Sequence, residues 1–264
     1  MSIITFISDF GTTDHYVASV KASILKYNPN NQVIDLSHEI KKYDISHAAY
    51  VFKNVFSEFP VNSVHIIAVN NSENNSEIIL FQLDNQFIIT YDSGIISLID
   101  SNENINAIKL DGKMHFSFPE KFMGEVASKL ASGINYTTLG SPLKDFRQYL
   151  DREVRIQRNQ IIGHSIRIDN YGNIITNISK SDFYNVLSKN NGNFEINLGV
   201  DKIVNISESY NDVGIADLFA LFNYNDNLEI GMNKGNASNL LGIKNHTPIT
   251  INFLLYYFMF ASTG

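Results

Sequence analysis

Near its N-terminus the chain reads Ile3-Ile4-Thr5-Phe6-Ile7-Ser8-Asp9-Phe10-Gly11-Thr12, and this stretch indicates the fold class. Its first five residues form an apolar run with the length of a buried strand. Polar and glycine residues follow, and they predict a turn. The apolar spacing from Asp14 to Tyr27 then predicts a helix, which ends at Asn28-Pro29-Asn30. A strand followed directly by a helix is the repeating unit of a parallel α/β sheet.

This alternation continues along the first half of the chain. Further predicted elements are strands 33–36, 64–69, 78–83 and 87–91 and helices 44–59 and 118–133. The pair Asp84-Asn85 suits the turn of a hairpin between the last two strands. The pattern predicts an N-terminal α/β domain with a parallel or mixed sheet over residues 1–145.

The second half has a different pattern, with short strands separated by turns. A predicted linker, residues 139–151, contains Gly140-Ser141-Pro142 and a polar stretch. The predicted strands beyond it are 154–156, 161–168, 174–178, 194–198, 228–230 and 247–253. This spacing predicts a smaller β-rich domain over residues 153–264, either a barrel or a sandwich.

Composition excludes several classes of protein. The 264 residues are 44% apolar and 18% charged, with a net charge of −7, so a basic nucleic-acid-binding face is not expected. There is no cysteine, which excludes disulfides and thiolate metal sites, and no metal is expected. No basic-then-apolar leader precedes Ile3, so a cytoplasmic location is expected.

The apolar segment Ile249–Phe260 invites a membrane interpretation. It is shorter than the ~20 residues that span a bilayer. We expect a final strand with an apolar tail that packs on the body or on a neighbouring subunit. A peripheral membrane contact is the minor alternative.

Two carboxylates follow the first predicted strand. In a parallel sheet, ligands bind at the carboxyl ends of the strands. Asp9 lies one residue beyond the strand, where a carboxylate can accept two hydroxyls of a ribose. Asp14 can do the same or cap the helix that follows, and both roles stay open. The Gly11-Thr12 turn would let the backbone approach a ligand.

A turn in the second half combines polar and aromatic residues. It runs Asp169-Asn170-Tyr171-Gly172-Asn173, and Asp, Asn and Gly favour turns whatever their function. An exposed aromatic ring flanked by Asp and Asn also suits a purine, because the ring can stack and an amide can read an edge.

Three segments together resemble the S-adenosylmethionine hydroxide adenosyltransferase family, which includes the enzymes that put fluoride or chloride on C5′ of the same substrate. They are residues 8–17, residues 34–45 and residues 168–178. The resemblance implies a two-domain fold with a site at the junction of the domains. It also implies a homotrimer with the site at a subunit interface, and S-adenosylmethionine as substrate or ligand with no other cofactor.

The resemblance also implies roles for single residues. An aromatic ring at the position of Tyr43 packs along the nucleoside in the family, although a loop tyrosine that covers the core rim is an equal alternative. The stretch with Asp169, Tyr171 and Asn173 contacts the adenine and the methionine amine. Asn233 and Lys234 fall where the family supplies backbone contacts to the adenine.

This chain differs from the family at the positions of the reactive residues. Attack at C5′ expels neutral methionine, so the reaction needs a water that is held in line and deprotonated. Hydroxide-transferring members use an Asp, an Arg and a His. Their places are held here by Asn70, Glu77 and Phe118. A shift of the alignment by a residue or two would bring in His115 or Glu120, and His115 is more typical of an ordinary surface or strand residue.

Three functions follow from these observations. The lead is hydrolysis of S-adenosylmethionine to adenosine and methionine, as the resemblance implies. The second is a family member that binds a nucleoside without catalysis, and the third is a purely structural trimer. Retention of Asp9, Tyr43, Asp169, Tyr171 and Asn173 favours binding over a structural role, whereas loss of the reactive residues argues against catalysis. A halide-transferring activity is not expected, since Glu77 would repel an anion.

Overall fold

The computed structural model describes residues 3–69, 77–100, 105–112, 118–149, 152–190 and 192–254. The chain divides into two compact units, residues 1–151 and 152–264. The first is α/β and the second is β-rich, which confirms the predicted fold class.

The first unit contains a seven-stranded mixed sheet. Its strands are β1 (Ile3–Ser8), β2 (Gln32–Ser37), β3 (Val64–Ala68), β4 (Ile78–Leu83), β5 (Gln86–Tyr91), β6 (Ala107–Leu110) and β7 (Gly140–Leu143). Its helices are α1 (Tyr16–Tyr27), α2 (Ile45–Phe56), α3 (Ile95–Ile99) and α4 (Glu120–Ala131). The strand order is β2-β1-β3-β5-β4-β6-β7. Strands β2, β1, β3 and β5 run parallel, and the remaining strands pair antiparallel.

Helices cover both faces of this sheet because its strand side chains alternate between two cores. On one face, Ile4 and Phe6 of β1 pack in the same cluster as residues of α1 and α4. On the other face, Ile7 packs in a cluster with residues of α2 and α3. Because both faces of the sheet are buried, a ligand can reach it only at the ends of its strands.

The structure differs from the sequence prediction in several places of the first unit. Residues 140–143 were expected in a linker, but they form β7 because the backbone pairs with β6 at the sheet edge. The short elements α3 and β6 were not predicted. The hairpin between β4 and β5 is present, and Asp84 and Asn85 both have positive φ, 46° and 59°, as a primed turn requires.

The second unit is built on antiparallel strands. They are β8 (Arg155–Gln157), β9 (Gln160–Ile168), β10 (Ile174–Ser179), β11 (Phe194–Leu198), β12 (Asp201–Ile203), β13 (Leu218–Phe222), β14 (Asn227–Met232) and β15 (Pro248–Phe253). Two helices, α5 (Lys180–Leu187) and α6 (Ala237–Leu241), interrupt them. The order β12-β11-β15-β9-β10-β14-β13 makes a nearly closed, barrel-like sheet, and β8 pairs with β9.

The core of the second unit is mostly aliphatic and contains a cluster of aromatic rings. Phe183 of α5 is fully buried and contacts the rings of Phe194, Phe222 and Phe253 at centroid distances of 4.9 to 5.6 Å. Helix α5 therefore packs against the barrel-like sheet through Phe183. Neither α5 nor β13 was predicted from the sequence.

The apolar segment Ile249–Phe260 lies partly within β15, as expected, and its residues 255–260 fall outside the described residues. Among the described residues, no helix is long and apolar enough to cross a membrane.

Candidate functional site

The first unit brings several loops to one edge of its sheet. Strand β1 pairs with β3 so that Ser8 lies opposite Ala68, and β3 pairs with β5 so that Ile67 lies opposite Thr90. The three parallel strands therefore end level with one another. Asp9 and Tyr91 both lie at this carboxyl edge, where a parallel sheet binds its ligands.

Asp9 is held by the loop that precedes α2. Its Oδ2 accepts a hydrogen bond from the backbone N–H of Tyr43 at 2.8 Å. Burial raises the pKa of the Asp9 carboxyl above its ordinary value, against the lowering effects of this hydrogen bond and of the Lys42 charge. Asp9 is thus a half-buried carboxylate with a fixed orientation.

Tyr43 adopts an unusual backbone conformation. Its φ is +63°, in the left-handed region that a tyrosine rarely occupies, and its side chain is 70% exposed. The hydrogen bond to Asp9 holds this conformation. A strained aromatic residue that presents its ring to solvent suggests a ligand contact more than a role in covering the core.

Asp14 does not cap α1. The N-cap position is His15, no side chain makes a capping hydrogen bond there, and Asp14 is exposed. The loop between β1 and α1 is instead tied down at Gly11, whose N–H donates to the carbonyl of His38 at 2.8 Å. Gly11 has a φ of +70°, which explains the glycine.

Only some of the positions that correspond to the family's reactive residues lie within the described residues. Asn70 and His115 lie outside the described residues. Glu77 is exposed and forms an ion pair with Lys109. Phe118 packs on Phe10 and Tyr16, with its ring centroid 6.2 and 5.6 Å from theirs. Phe118 also lines a cavity of about 540 Å³ between α1 and α4.

A tyrosine and a glutamate form a pair at the same edge. Tyr91, the last residue of β5, donates its hydroxyl hydrogen bond to Oε1 of Glu120, the first residue of α4. Burial, together with the neighbouring Glu120 and Asp9 carboxylates, raises the pKa of Tyr91 far above its ordinary value. The tyrosine is therefore a hydrogen-bond donor at any physiological pH.

The second unit contains a cavity of about 720 Å³. Five residues predicted from the sequence line it together: Asp169, Tyr171, Asn173, Asn233 and Lys234. Asn170, Tyr210, Phe219, Met232 and Gly235 complete the lining. The volume falls within the range of roughly 300–1,000 Å³ typical of small-molecule sites.

Asp169 organises the loop that forms one wall of this cavity. Its Oδ1 accepts the N–H groups of Tyr171 and Asn173 at 2.9 and 2.8 Å, and its Oδ2 accepts the Asn173 side-chain amide at 3.1 Å. Gly172 has a φ of +87° and lies against the Asn236 side chain, so no Cβ fits there. The loop therefore holds Tyr171 with its side chain 77% exposed.

The opposite wall is a turn after β14. The Asn233 side-chain amide donates to the carbonyl of Val213 at 2.8 Å, and its backbone pairs with residues 216 and 217. Lys234 is exposed and has a φ of +54°. Asn233 thus holds the loop of residues 213–217 by hydrogen bonds. The positive φ of Lys234 marks the turn that follows it.

Sequence reasoning missed three apolar or aromatic residues of the lining. Tyr210 and Phe219 contact each other edge to face at 5.2 Å, and Met232 ends β14. Phe219 belongs to β13, the strand that was not predicted, and its apolar run Leu218–Phe222 is the signal that could have found it.

A buried carboxylate lies beside this lining. Glu229 of β14 is 4% exposed, and the Tyr210 hydroxyl donates to its Oε1 at 3.4 Å. Burial raises the pKa of Glu229, and the nearby Asp169 charge acts in the same direction. Hydrogen bonds from Asn223, Tyr210 and Asn173 oppose this shift. The described part of the chain holds no group of three or more histidine, aspartate or glutamate residues that could bind a metal.

Comparisons with known proteins match both units. A family model described as the SAM hydroxide adenosyltransferase N-terminal domain matches residues 4–140, and the model of the C-terminal domain matches residues 163–250. A protein of Methanocaldococcus jannaschii named (R)-S-adenosyl-L-methionine hydrolase is 30% identical, over 92% of this chain and 93% of its own length. A Thermus thermophilus protein of the same name is 23% identical, over 95% and 100%.

Solved structures share the fold. The crystal structure of an uncharacterized conserved protein from Thermotoga maritima matches with a TM-score of 0.86 and 23% identity, covering 95% of this chain and all of that one. A conserved hypothetical protein from Thermus thermophilus matches with a TM-score of 0.73 and 22% identity, over 96% and 100%.

Proposed function

Because this chain belongs to the SAM hydroxide adenosyltransferase family, we propose that it binds S-adenosylmethionine and hydrolyses it slowly to adenosine and methionine. The names of the relatives specify the (R) epimer at sulfur, and we propose the same epimer for this chain. A sulfonium leaves as a neutral thioether, so the reaction needs no cofactor.

One observation carries this proposal: the cavity of the second unit gathers five residues that the sequence singled out for a nucleoside. Tyr171 offers an exposed ring for stacking on adenine. Of the two residues predicted to contact the adenine edge, both backbone groups of Asn233 are hydrogen-bonded within the fold, so we assign the backbone contact to Lys234. In the first unit, the fixed carboxylate of Asp9 supports a role in binding ribose hydroxyls, and Tyr43 beside it supports a contact along the nucleoside. Asp14 is exposed, so its proposed role is an outer contact.

Because this chain lacks the family's reactive Asp, Arg and His, we expect its catalysis to be slow. General-base help is typically worth ~10²–10⁴-fold in rate. Glu77 is neutralised by Lys109, and Phe118 offers no base. These two observations favour the second candidate, a nucleoside-binding protein without turnover.

The experiment that separates the two functions is incubation with each sulfur epimer, followed by chromatography for adenosine and methionine. The Methanocaldococcus jannaschii relative serves as the reference. We expect slow release of both products from the (R) epimer, well below the rate of the reference. Binding without product would establish the second candidate, and neither binding nor product would favour a purely structural protein.

We also propose that the chain forms a homotrimer with the site at a subunit interface, as in the family that it resembles. Light scattering after gel filtration should give three times the mass of the 29.8 kDa chain. A monomer at micromolar concentration would exclude the trimer. The cytoplasmic location stays a prediction.

A further inference from the structure

The pair formed by Tyr91 and Glu120 lies at the same edge of the first unit's sheet as Asp9. Tyr91 ends β5 and is buried, so its hydroxyl has a fixed position. Glu120 begins α4 and is partly buried, and its Oε1 accepts the hydrogen bond from Tyr91. A carboxylate oriented by a buried donor on a neighbouring element is a preorganised acceptor.

Two independent contacts bring this pair to the Asp9 loop. Strands β1 and β5 both pair with β3 and end level with it, so Asp9 and Tyr91 are two strand spacings apart, roughly 10 Å between backbones. From the helix side, Phe118 lies two residues before Glu120 and packs against Phe10, the neighbour of Asp9. The pair and Asp9 therefore lie at the same edge of the sheet.

If Asp9 binds the ribose hydroxyls, C5′ projects from the opposite side of the same ring. A water that attacks C5′ then lies beyond the ribose as seen from Asp9. Glu120 supplies a carboxylate at this edge through its contact with Tyr91, whereas the described residues at the family's reactive places, Glu77 and Phe118, are ion-paired or apolar.

We propose that Glu120 accepts the proton of the attacking water and that Tyr91 positions the Glu120 carboxylate; this rests on the proposed function. The oxygen of water forms a bond to C5′ as the bond from C5′ to sulfur breaks. The electron pair of that bond stays on sulfur, which gives neutral methionine. The proton passes from the water to Glu120 and then to solvent. The pair thus supplies the base for the slow turnover that we propose, in place of the family's reactive residues.

The test compares variants by turnover and by binding. Glu120→Gln keeps the shape and the hydrogen bond from Tyr91 but removes the base. We expect its kcat for adenosine formation to fall at least about 100-fold, with an unchanged Kd for adenosine. Glu120→Asp should retain part of the rate, and Tyr91→Phe should lower kcat with an unchanged Kd. The control is Glu125→Gln on the same helix, whose carboxylate pairs with Lys129 on the surface and should leave the rate unchanged.

Each other outcome overturns the inference in a recognisable way. If Glu120→Gln turns over like the wild type, Glu120 is not the base, and the proposed function stands. If Glu120→Gln loses adenosine binding together with turnover, the pair is structural. If the wild-type chain binds adenosine but forms no product from either epimer, both this inference and the hydrolytic part of the proposed function are wrong.

Discussion

The Asp9 carboxylate is tied to the fold by a hydrogen bond from a distant loop. Oδ2 accepts the N–H of Tyr43, which stabilises the left-handed backbone there. The sequence predicted that Asp9 follows the first strand, but it contained no signal for the contact with Tyr43, which is 34 residues away. Such contacts depend on where two loops meet, and a local pattern does not record that.

The substitution Asp9→Asn tests the role in ribose binding. Asparagine can still accept the Tyr43 hydrogen bond, so the loop should keep its conformation. Loss of the charge should weaken adenosine binding by about 1.5–3 kcal/mol, because hydrogen bonds to a charged group are stronger than neutral ones. Calorimetric titration measures the change, with Asp145→Asn, an exposed aspartate of the same unit, as a matched control. Unchanged affinity in Asp9→Asn would make Asp9 a loop residue only.

Tyr171 is the second residue whose role can be isolated. Its ring is exposed and its loop is held by Asp169, so Tyr171→Ala should leave the fold intact. Stacking of a base on an aromatic ring is worth about 1–3 kcal/mol, and adenosine binding should weaken by that amount. Tyr224→Ala, in the same unit and 87% exposed, is the control. Equal affinities for the two variants would remove Tyr171 from the site.

At the scale of the elements, the sequence predicted the parts that have a strong period or a clear end. Strand β1, helices α1 and α2 and the β4–β5 hairpin were found because apolar spacing and turn residues agree. Strands β6 and β7 were missed because each has only four residues, which carry too little pattern. Helix α5 was missed because only Phe183 and Val186 of its eight residues are buried.

A buried histidine ties three elements of the first unit together. Both ring nitrogens of His65 in β3 are hydrogen-bonded. Nδ1 lies 2.7 Å from Oγ1 of Thr5 in β1, and Nε2 lies 2.8 Å from Oε1 of Gln86 in β5. A neutral imidazole satisfies both partners, since one nitrogen donates and the other accepts. Burial lowers the pKa of His65 from its ordinary value to about 4.

The lowered pKa predicts how stability depends on pH. Between the unfolded pKa of about 6.5 and the folded pKa, the unfolded chain binds the proton and the folded chain does not. The free energy of unfolding should therefore fall as pH falls through this window, by about 3 kcal/mol in total from this residue. Urea unfolding at pH 7 and pH 4.5 measures it, and the difference from His65→Gln isolates the histidine from other groups. A wild-type chain whose pH dependence matches that of His65→Gln would contradict the prediction.

At the scale of the whole molecule, the predicted recognition residues divide between the two units. Asp9 and Tyr43 belong to the first unit, and Asp169, Tyr171 and Asn173 to the second. The sequence predicted both sets from short motifs, together with the fold class of each unit. It could not supply Tyr210 or Phe219, because their place in the cavity depends on how β13 pairs with β14.

We propose above all that this chain binds a nucleoside, and calorimetric titration of the wild-type chain with adenosine measures that binding. We predict saturable heat with one site per chain and a rise in melting temperature. A ligand at 100 times its Kd stabilises the folded state by roughly 2.7 kcal/mol. No binding heat and no shift in melting temperature at millimolar adenosine would contradict the claim.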